Sequence, residues 1–560
     1  MAQLPYEISN AIFANLSRRD LWALSLTNRR WHDLVSPKLY ETIVIGLRDG
    51  VSLSPGFIRS FAFGSQHSHL RLIQNVILLV DPKYCYTGDE GNKWKTSAIT
   101  MIHELLYAFL LKLGDGQLRR FIWSSGLDID ERIFILLANH HGSTLECLYI
   151  DTDPKAGRLN EEEISNFSKF SSLRTLRWKG FESLEYNVAL ARMLKASARS
   201  LKTISIGHLY PNEHFSGGEG IFRKHAVDLE LPALSECQMS MCVYFARGDS
   251  DKPIGSLVLD SIARSSRVQR LCTETSLSSL AKYPFKFNGL VELDIRLSGE
   301  FRYKDAIFHH GPTLKVLSLR TRTPDFYGGS KPISDEELLE IGYKCPNLVE
   351  LGISQEFSIR DRTSWRSISG PQMSFTKIPL HVFRNLELVV IMIKYITNDD
   401  LFNNKAFRKN ANGQVGETKS VLEEMLDQRQ QPPNSNIIPS EKLKLVTIGV
   451  RDGPESILHP GRALRPWRVI HPSTMDDTKS VTVEPVNAEE LIDINPGWRL
   501  LRRDPPLIQN EELDRLCRGP HLPSSSEIGG IARIPQDEDE DGSEDGSEDY
   551  SEAGSNYSSE

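Results

Sequence analysis

The chain has 560 residues, with hydrophobic content of 39%, charged content of 25% and a formal charge of −8. These are the proportions of a water-soluble globular protein, and the length predicts either more than one domain or one long repeat array. No apolar run approaches the ~18–20 residues of a membrane span, and eleven acidic residues lie from Asp537 onward, so the remainder carries +3 and gives no general reason to expect nucleic-acid binding.

The N-terminal stretch from Leu4 to Ile45 predicts three short helices. Leu4-Pro5 opens the first, because proline at a helix start needs no amide partner. Ile8, Ile12 and Leu16 follow at four-residue spacing and form one stripe. Ser17 and Asp20 suggest a capping restart, Leu21 and Leu24 form a second stripe, and Trp31 with Leu34 a third, which Pro37 should stop. About forty residues lie at or below the size at which a core supports itself. Some of these side chains must therefore be covered by the rest of the chain or by a partner protein.

The order Leu-Pro-x-Glu-Ile, Ile12, Leu16, Asp20-Leu21, Leu24, Arg30-Trp31 and Leu39-Tyr40 resembles an F-box. The resemblance covers residues 1–45, under a tenth of the chain. It implies docking to a Skp-family adaptor and, through it, a cullin. The positions matching the family's adaptor-facing set are Leu4, Pro5, Ile8, Ile12, Leu16, Leu21, Leu24 and Trp31.

Residues 46–117 read as a connecting segment and cap. Within them Leu70–Val80 predicts a buried strand or strand pair, and Asp81–Lys95 a polar loop. Ile102, Leu105, Leu106, Phe109 and Leu113 have helical spacing that ends at Gly114.

From Leu118 the pattern Leu-x-x-Leu-x-Leu recurs. Copies begin at Leu118, Leu145, Leu173 and Leu201, spaced 27, 28 and 28 residues apart, and again at Leu290, Leu314, Leu348, Leu386 and Leu443. Copies at Leu234 and Val268 are degraded. The segments HHGSTLECLYI from His140 and HHGPTLKVLSL from His309 repeat a helix end, a glycine stop and a strand entry. Ile333-Ser334-Asp335, Leu338 and Cys345-Pro346-Asn347-Leu348 resemble cysteine-containing leucine-rich repeats. The resemblance implies an α/β solenoid over 118–450, a curved parallel sheet with outer helices, interrupted by a flexible insertion at 398–441.

Period-two alternation assigns the intervening strand residues to the face opposite the helices. The candidates for holding a protein substrate there are Tyr149, Asp151, Arg177, Lys179, Glu292, Asp294, Arg296, Arg320 and Glu350. Residues 451–534 are proline-rich without a repeat, although Trp467 and Trp498 could anchor them to the last repeats. The acidic segment 535–560 predicts a disordered tail, with Ser543, Ser547 and Ser551 as candidate sites for an acidic-directed kinase.

No phosphate-binding glycine loop, nucleophile elbow or His-Glu-x-x-His motif is present. The seven cysteines show no CxxC pair, which points to reduced thiols in the cytosol or nucleus. No cofactor or metal is expected. The two resemblances together imply a non-catalytic substrate receptor of a Skp–cullin–F-box ubiquitin ligase, with a scaffold that does not promote ubiquitination as the alternative.

Overall fold

A computed structural model describes residues 6–16, 18–47, 68–80, 89–124, 129–151, 161–179, 184–207, 229–240, 267–274, 287–297, 303–321, 333–356, 379–394, 422–423, 442–449, 464–470, 482–486 and 500. All of these lie in one unit, residues 1–510. Leu4, Pro5, Ser17, Trp498 and the candidate kinase serines fall outside the described residues.

Three helices open the chain: α1 (Tyr6–Asn15), α2 (Arg18–Ser25) and α3 (Arg29–Tyr40). Asn28 caps α3, its side-chain oxygen accepting the Trp31 N–H at 3.0 Å. Pro37 does not end α3, which continues to Tyr40. Proline removes one backbone donor, but Val35 and Leu39 on either side of it are buried in the small core of the three helices. That packing carries the last turn past the missing hydrogen bond.

The chain then enters β1 (Thr42–Leu47), the first strand of one fifteen-stranded sheet laid out in chain order. The strands that follow are β2 (Asn75–Val80), β3 (Arg120–Ser124), β4 (Cys147–Asp151), β5 (Thr175–Lys179), β6 (Thr203–Gly207), β7 (Glu236–Ser240), β8 (Arg270–Glu274) and β9 (Glu292–Leu297). Next come β10 (Val316–Thr321), β11 (Glu350–Glu356), β12 (Leu388–Lys394) and β13 (Leu445–Gly449). Every pairing from β1 to β13 is parallel. Each copy of the sequence motif supplies one strand in constant register: Leu148 lies beside Leu176, Ile204 beside Cys237, and Leu293 beside Leu317. The degraded copies at Leu234 and Val268 thus pair as regularly as the rest.

Helices α4 (Asp89–Leu110), α5 (Glu131–Leu136), α6 (Glu161–Asn166), α7 (Leu184–Ala196), α8 (Tyr303–His310) and α9 (Asp335–Lys344) occupy the connections between strands. Helix α4 begins at Asp89, inside the stretch expected to be a polar loop. Its apolar stripe Ile102, Leu105, Leu106 and Phe109, with Leu113 just beyond it, is buried as the spacing predicts. Helix α9 starts with a reciprocal cap: Ser334 Oγ accepts the Glu337 N–H at 3.2 Å, and Glu337 Oε2 accepts the Ser334 N–H at 3.0 Å.

One continuous core fills the space between helices and sheet. Trp123 and Trp178 are large anchors of it, with Phe134 and Phe167 stacked on Trp178 at centroid distances of 5.8 and 5.9 Å. The paired histidine segments explain their own conservation of form within the chain. His141 and His310 are buried at equivalent helix ends. A Cβ on Gly142 would sit 2.9 Å from the Lys169 carbonyl oxygen, and one on Gly311 would collide with the Lys344 carbonyl, so the next turn leaves no space for a side chain at either position. Thr144 and Thr313 then donate to the preceding copy's first leucine carbonyl, Leu118 at 3.3 Å and Leu290 at 2.7 Å. Ser200 does the same to Leu173 at 2.8 Å.

The C-terminal end departs from expectation in two ways. Residues 451–534 contribute β14 (Leu464–Ile470) and β15 (Thr482–Pro485), which pair antiparallel and continue the sheet beyond β13. Trp467 pairs with Val446 and is buried in the main core, as its aromatic character suggested. Leu422, within the stretch expected to be a flexible insertion, is also buried there, and Glu423 accepts the Val483 N–H at 3.3 Å.

Candidate functional site

Two surfaces can meet a partner. The first is formed by the N-terminal helices. Phe13, Leu21, Val35 and Leu39 are buried among them, with Leu16, Leu24, Trp31 and Leu34 packed around this small core. Phe13 meets Trp31 edge-to-face at 6.1 Å. Of the sequence-derived positions, Leu21 is therefore a core residue, and Leu16, Leu24 and Trp31 are partly committed to the fold. Ile8 and Ile12 remain 48% and 43% exposed.

Two further apolar side chains are more exposed still: Trp22 at 57% and Leu26 at 65%. Sequence reading placed α2's apolar stripe at Leu21 and Leu24 and passed over these two. Their own four-residue spacing was the available signal, since it places Leu26, just past the end of α2, in line with Trp22. Exposed apolar side chains that gather in one region mark candidate contact surfaces, and these four are the exposed large apolar side chains among the described residues of the N-terminal helical region. The helices are tied directly to the sheet: Tyr40 stacks on His69 at 4.2 Å, and the Glu41 carbonyl accepts from Gln74 and Asn75.

The second surface is the sheet face opposite the main core. Register places its residues in rows. One row runs Tyr149, Arg177, Ser205, Gln238, Cys272, Asp294, Ser318, Gly352. The row two positions earlier includes Glu236, Arg270, Glu292, Val316 and Glu350. Asp151, Lys179, Arg296 and Arg320 lie in the row beyond. The side chains of Asp151, Lys179 and Arg296 are outside the described residues.

The described members of this face hold one another. The Arg177 guanidinium lies 4.6 Å over the Tyr149 ring, and both residues are buried. Ser205 Oγ donates to Gln238 Oε1 at 2.8 Å. Arg270 reaches Glu292 at 2.8 Å and also contacts Glu236. Arg320 donates to both Asp294 carboxylate oxygens, at 2.9 and 2.8 Å, and approaches Cys272 Sγ at 3.4 Å. The candidates for substrate contact are thus drawn together in a polar network, but Tyr149, Arg177, Arg320 and Glu350 are buried and not freely presented. Lateral neighbours one strand away cover long side chains that an isolated strand would expose.

At the C-terminal end the face changes character. Val316, Leu388, Val390, Met392 and Leu445 form a second apolar cluster, covered by Val486 and Leu500 of the same chain. Leu500 Cδ1 sits 3.4 Å from the point where Gly352 would carry a Cβ, so the glycine makes room for it. The Leu500 N–H donates to the Glu350 carboxylate at 2.8 Å. Sequence reading could not find this contact, because 150 positions separate the two residues.

Burial pushes the thiols of Cys147, Cys237 and Cys345 up to about 12, so each is held as a thiol at neutral pH. Burial, with His140 beside it, lowers His141 to about 4. His141 is a neutral structural group that takes the Leu118 N–H on its Nδ1 at 3.5 Å. Among the described residues, no helix is long and apolar enough to cross a membrane.

No curated protein matches the chain. Residues 1–46 match the F-box-like family, the kind of domain that serves as a protein-interaction adaptor, typically in Skp–cullin–F-box ligases, by binding Skp-family proteins. The chain therefore carries an F-box-like domain at its N-terminal end.

Proposed function

We propose that this protein is the substrate-receptor subunit of a Skp–cullin–F-box ubiquitin ligase. The F-box-like helices dock the adaptor and, through it, a cullin. The parallel ribbon acts as an irregular leucine-rich-repeat solenoid that holds a protein substrate. The chain contributes no catalytic residue. It works by holding substrate lysines near a charged ubiquitin-conjugating enzyme, which raises their effective concentration. Cytoplasm, nucleus or both are the expected setting.

The observation that carries this reading is the unburied apolar set Ile8, Ile12, Trp22 and Leu26 on a domain matching the F-box-like family. The test is co-purification with a Skp-family adaptor, followed by reconstitution of the ligase. Adaptor binding that survives acidic substitution at Ile8 and Ile12 removes the docking role. A bound partner that gains no ubiquitin in the reconstituted ligase makes the protein a scaffold.

A further inference from the structure

One edge of the sheet gathers a group of exposed basic residues. One position ahead of the paired strands, a further row of backbone hydrogen bonds runs from Glu41 to Lys444. Five of its thirteen positions are Lys or Arg and three are Glu. Arg119, Arg174, Lys202, Lys315 and Lys444 are all exposed. The connections leading into this row add exposed Lys169, Lys344, Arg384 and Lys442, against exposed Asp115 and Glu230. Among the described residues, Glu146 partly answers Arg119 and Arg174, at 3.8 and 3.6 Å, and Glu387 answers Lys444 at 2.9 Å. These exposed contacts are weak, and they leave the edge with an excess of positive charge.

At its β9–β13 end the edge becomes concave. A shallow cavity of about 500 Å³ is lined by Val291, Lys315, Asn347, Val349, Asn385 and Lys442, together with Glu387, whose carboxylate is engaged by Lys444. Its polar walls are set in advance. Asn347 Nδ2 donates to the Pro312 carbonyl at 2.8 Å, Asn385 Nδ2 to the Pro346 carbonyl at 2.9 Å, and Lys442 Nζ to Asn385 Oδ1 at 2.7 Å. Val291 and Val349 give it an apolar floor.

We infer that this edge is a docking surface for an extended acidic segment of a partner protein, with the β9–β13 cavity as its anchor. Three strand spacings of about 4.8 Å separate Lys315 from Lys444, the reach of roughly four or five residues of extended chain. A short run of carboxylate or phosphate side chains on such a segment can meet Lys315, Lys442 and Lys444 while an apolar side chain enters over the valines. Single-stranded nucleic acid fits less well. Its bases need ring platforms, and between Lys315 and Lys444 the exposed phenyl, phenolic or indole ring among the described residues is Tyr343 alone. If the partner is the ligase substrate, the inference names its chemistry and in that respect rests on the receptor reading.

The test uses the full chain and a fluorescein-labelled oligo-glutamate peptide, read by fluorescence anisotropy. An unlabelled Gly/Ser peptide and an oligo-uridine RNA serve as competitors. The acidic peptide should bind, weaken as salt is raised, and resist both competitors. The pair Lys315→Glu and Lys442→Glu should weaken binding by about tenfold or more, while Lys195→Glu, on an exposed position of α7, leaves it unchanged. No binding at low salt, equal binding by the double variant, or preferential binding of the RNA overturns the inference. Adaptor co-purification is scored separately on the same variants. Loss of adaptor with the peptide still held removes the ligase reading and leaves the surface.

Discussion

Ile8→Asp combined with Ile12→Asp separates docking from folding. Both side chains are close to half exposed in the free chain, at 48% and 43%. Full burial of an isoleucine contributes about 1.5–3 kcal/mol, so covering the remaining half of each gives roughly 1 kcal/mol per residue on docking. Placing two carboxylates against an apolar partner adds a desolvation cost of at least about 1–3 kcal/mol. The sum is on the order of 4 kcal/mol, or about a thousandfold in affinity for the adaptor. The fold should hardly notice, because surface substitutions cost within about 0.5 kcal/mol. Leu21→Asp is the counter-case: Leu21 is 4% exposed in the small core, and the same carboxylate there should unfold the three helices. Titration calorimetry against the purified adaptor, beside circular-dichroism melting curves, reads both quantities. Unchanged adaptor affinity in the Ile8/Ile12 variant, or a melting curve as damaged as that of Leu21→Asp, refutes the reasoning.

Thr313→Val removes the hydroxyl that bridges the Leu290 and His310 carbonyls at 2.7 and 3.0 Å. It should lower stability by about 1–2 kcal/mol, seen as a reduced urea midpoint. Arg320→Met leaves Asp294 without its bidentate partner and should cost more, about 3–5 kcal/mol, while Arg320→Met with Asp294→Leu recovers part of the loss. Stability should also fall with acid through His141. Its folded value of about 4 lies below the ordinary 6.5, so the unfolded chain takes up the proton first. The neutral form therefore holds the fold fully above about pH 6.5, and stability declines between there and about pH 4. His141→Phe should flatten that part of a urea-midpoint-against-pH curve. Leu500→Ala opens a void over Gly352 and should cost about 2–5 kcal/mol. Limited proteolysis before and after the substitution should show new cuts on the C-terminal side of β13.

The repeating strands were legible because their signal is local. Leu-x-x-Leu-x-Leu fixes which side chains face the core, and constant spacing fixes the register, so even Cys237 and Leu271 fall into line. The reciprocal cap of Ser334 and Glu337 is equally local, its two residues three apart, although the sequence marked that stretch only as part of a repeat. What escaped is what depends on neighbours distant in sequence. Pro37 looked like a stop because the packing of Val35 and Leu39 that carries α3 past it is tertiary. Arg177 and Arg320 looked exposed because alternation gives a face but does not say what lies one strand away. Strands β14 and β15 pair antiparallel and repeat nothing, so no period announces them. The candidate docking residues were half read: Ile8 and Ile12 follow from spacing, whereas the equally spaced Trp22 and Leu26 gain meaning once Leu21 is seen to be buried.

The distribution of charge bears on how a substrate could be held. On the inner rows, Arg270 lies between Glu236 and Glu292, and Arg320 is engaged by Asp294. A partner laid on that face must break these pairs or match a surface already close to neutral. Either way it gains shape and register more than Coulomb energy. The apolar stretch at β10–β13 is already covered by Val486 and Leu500, so it too has little left to offer while they stay in place. The lysines of the edge are exposed, and the contacts of Lys442 with Asn385 and of Lys444 with Glu387 lie at the surface, where an incoming group can compete for them. On the receptor reading proposed above, long-range attraction would act from the edge and fit from the face. A substrate that is both acidic in one extended segment and shaped to the ribbon would be captured first at Lys315 and Lys442, then read by the strands beyond.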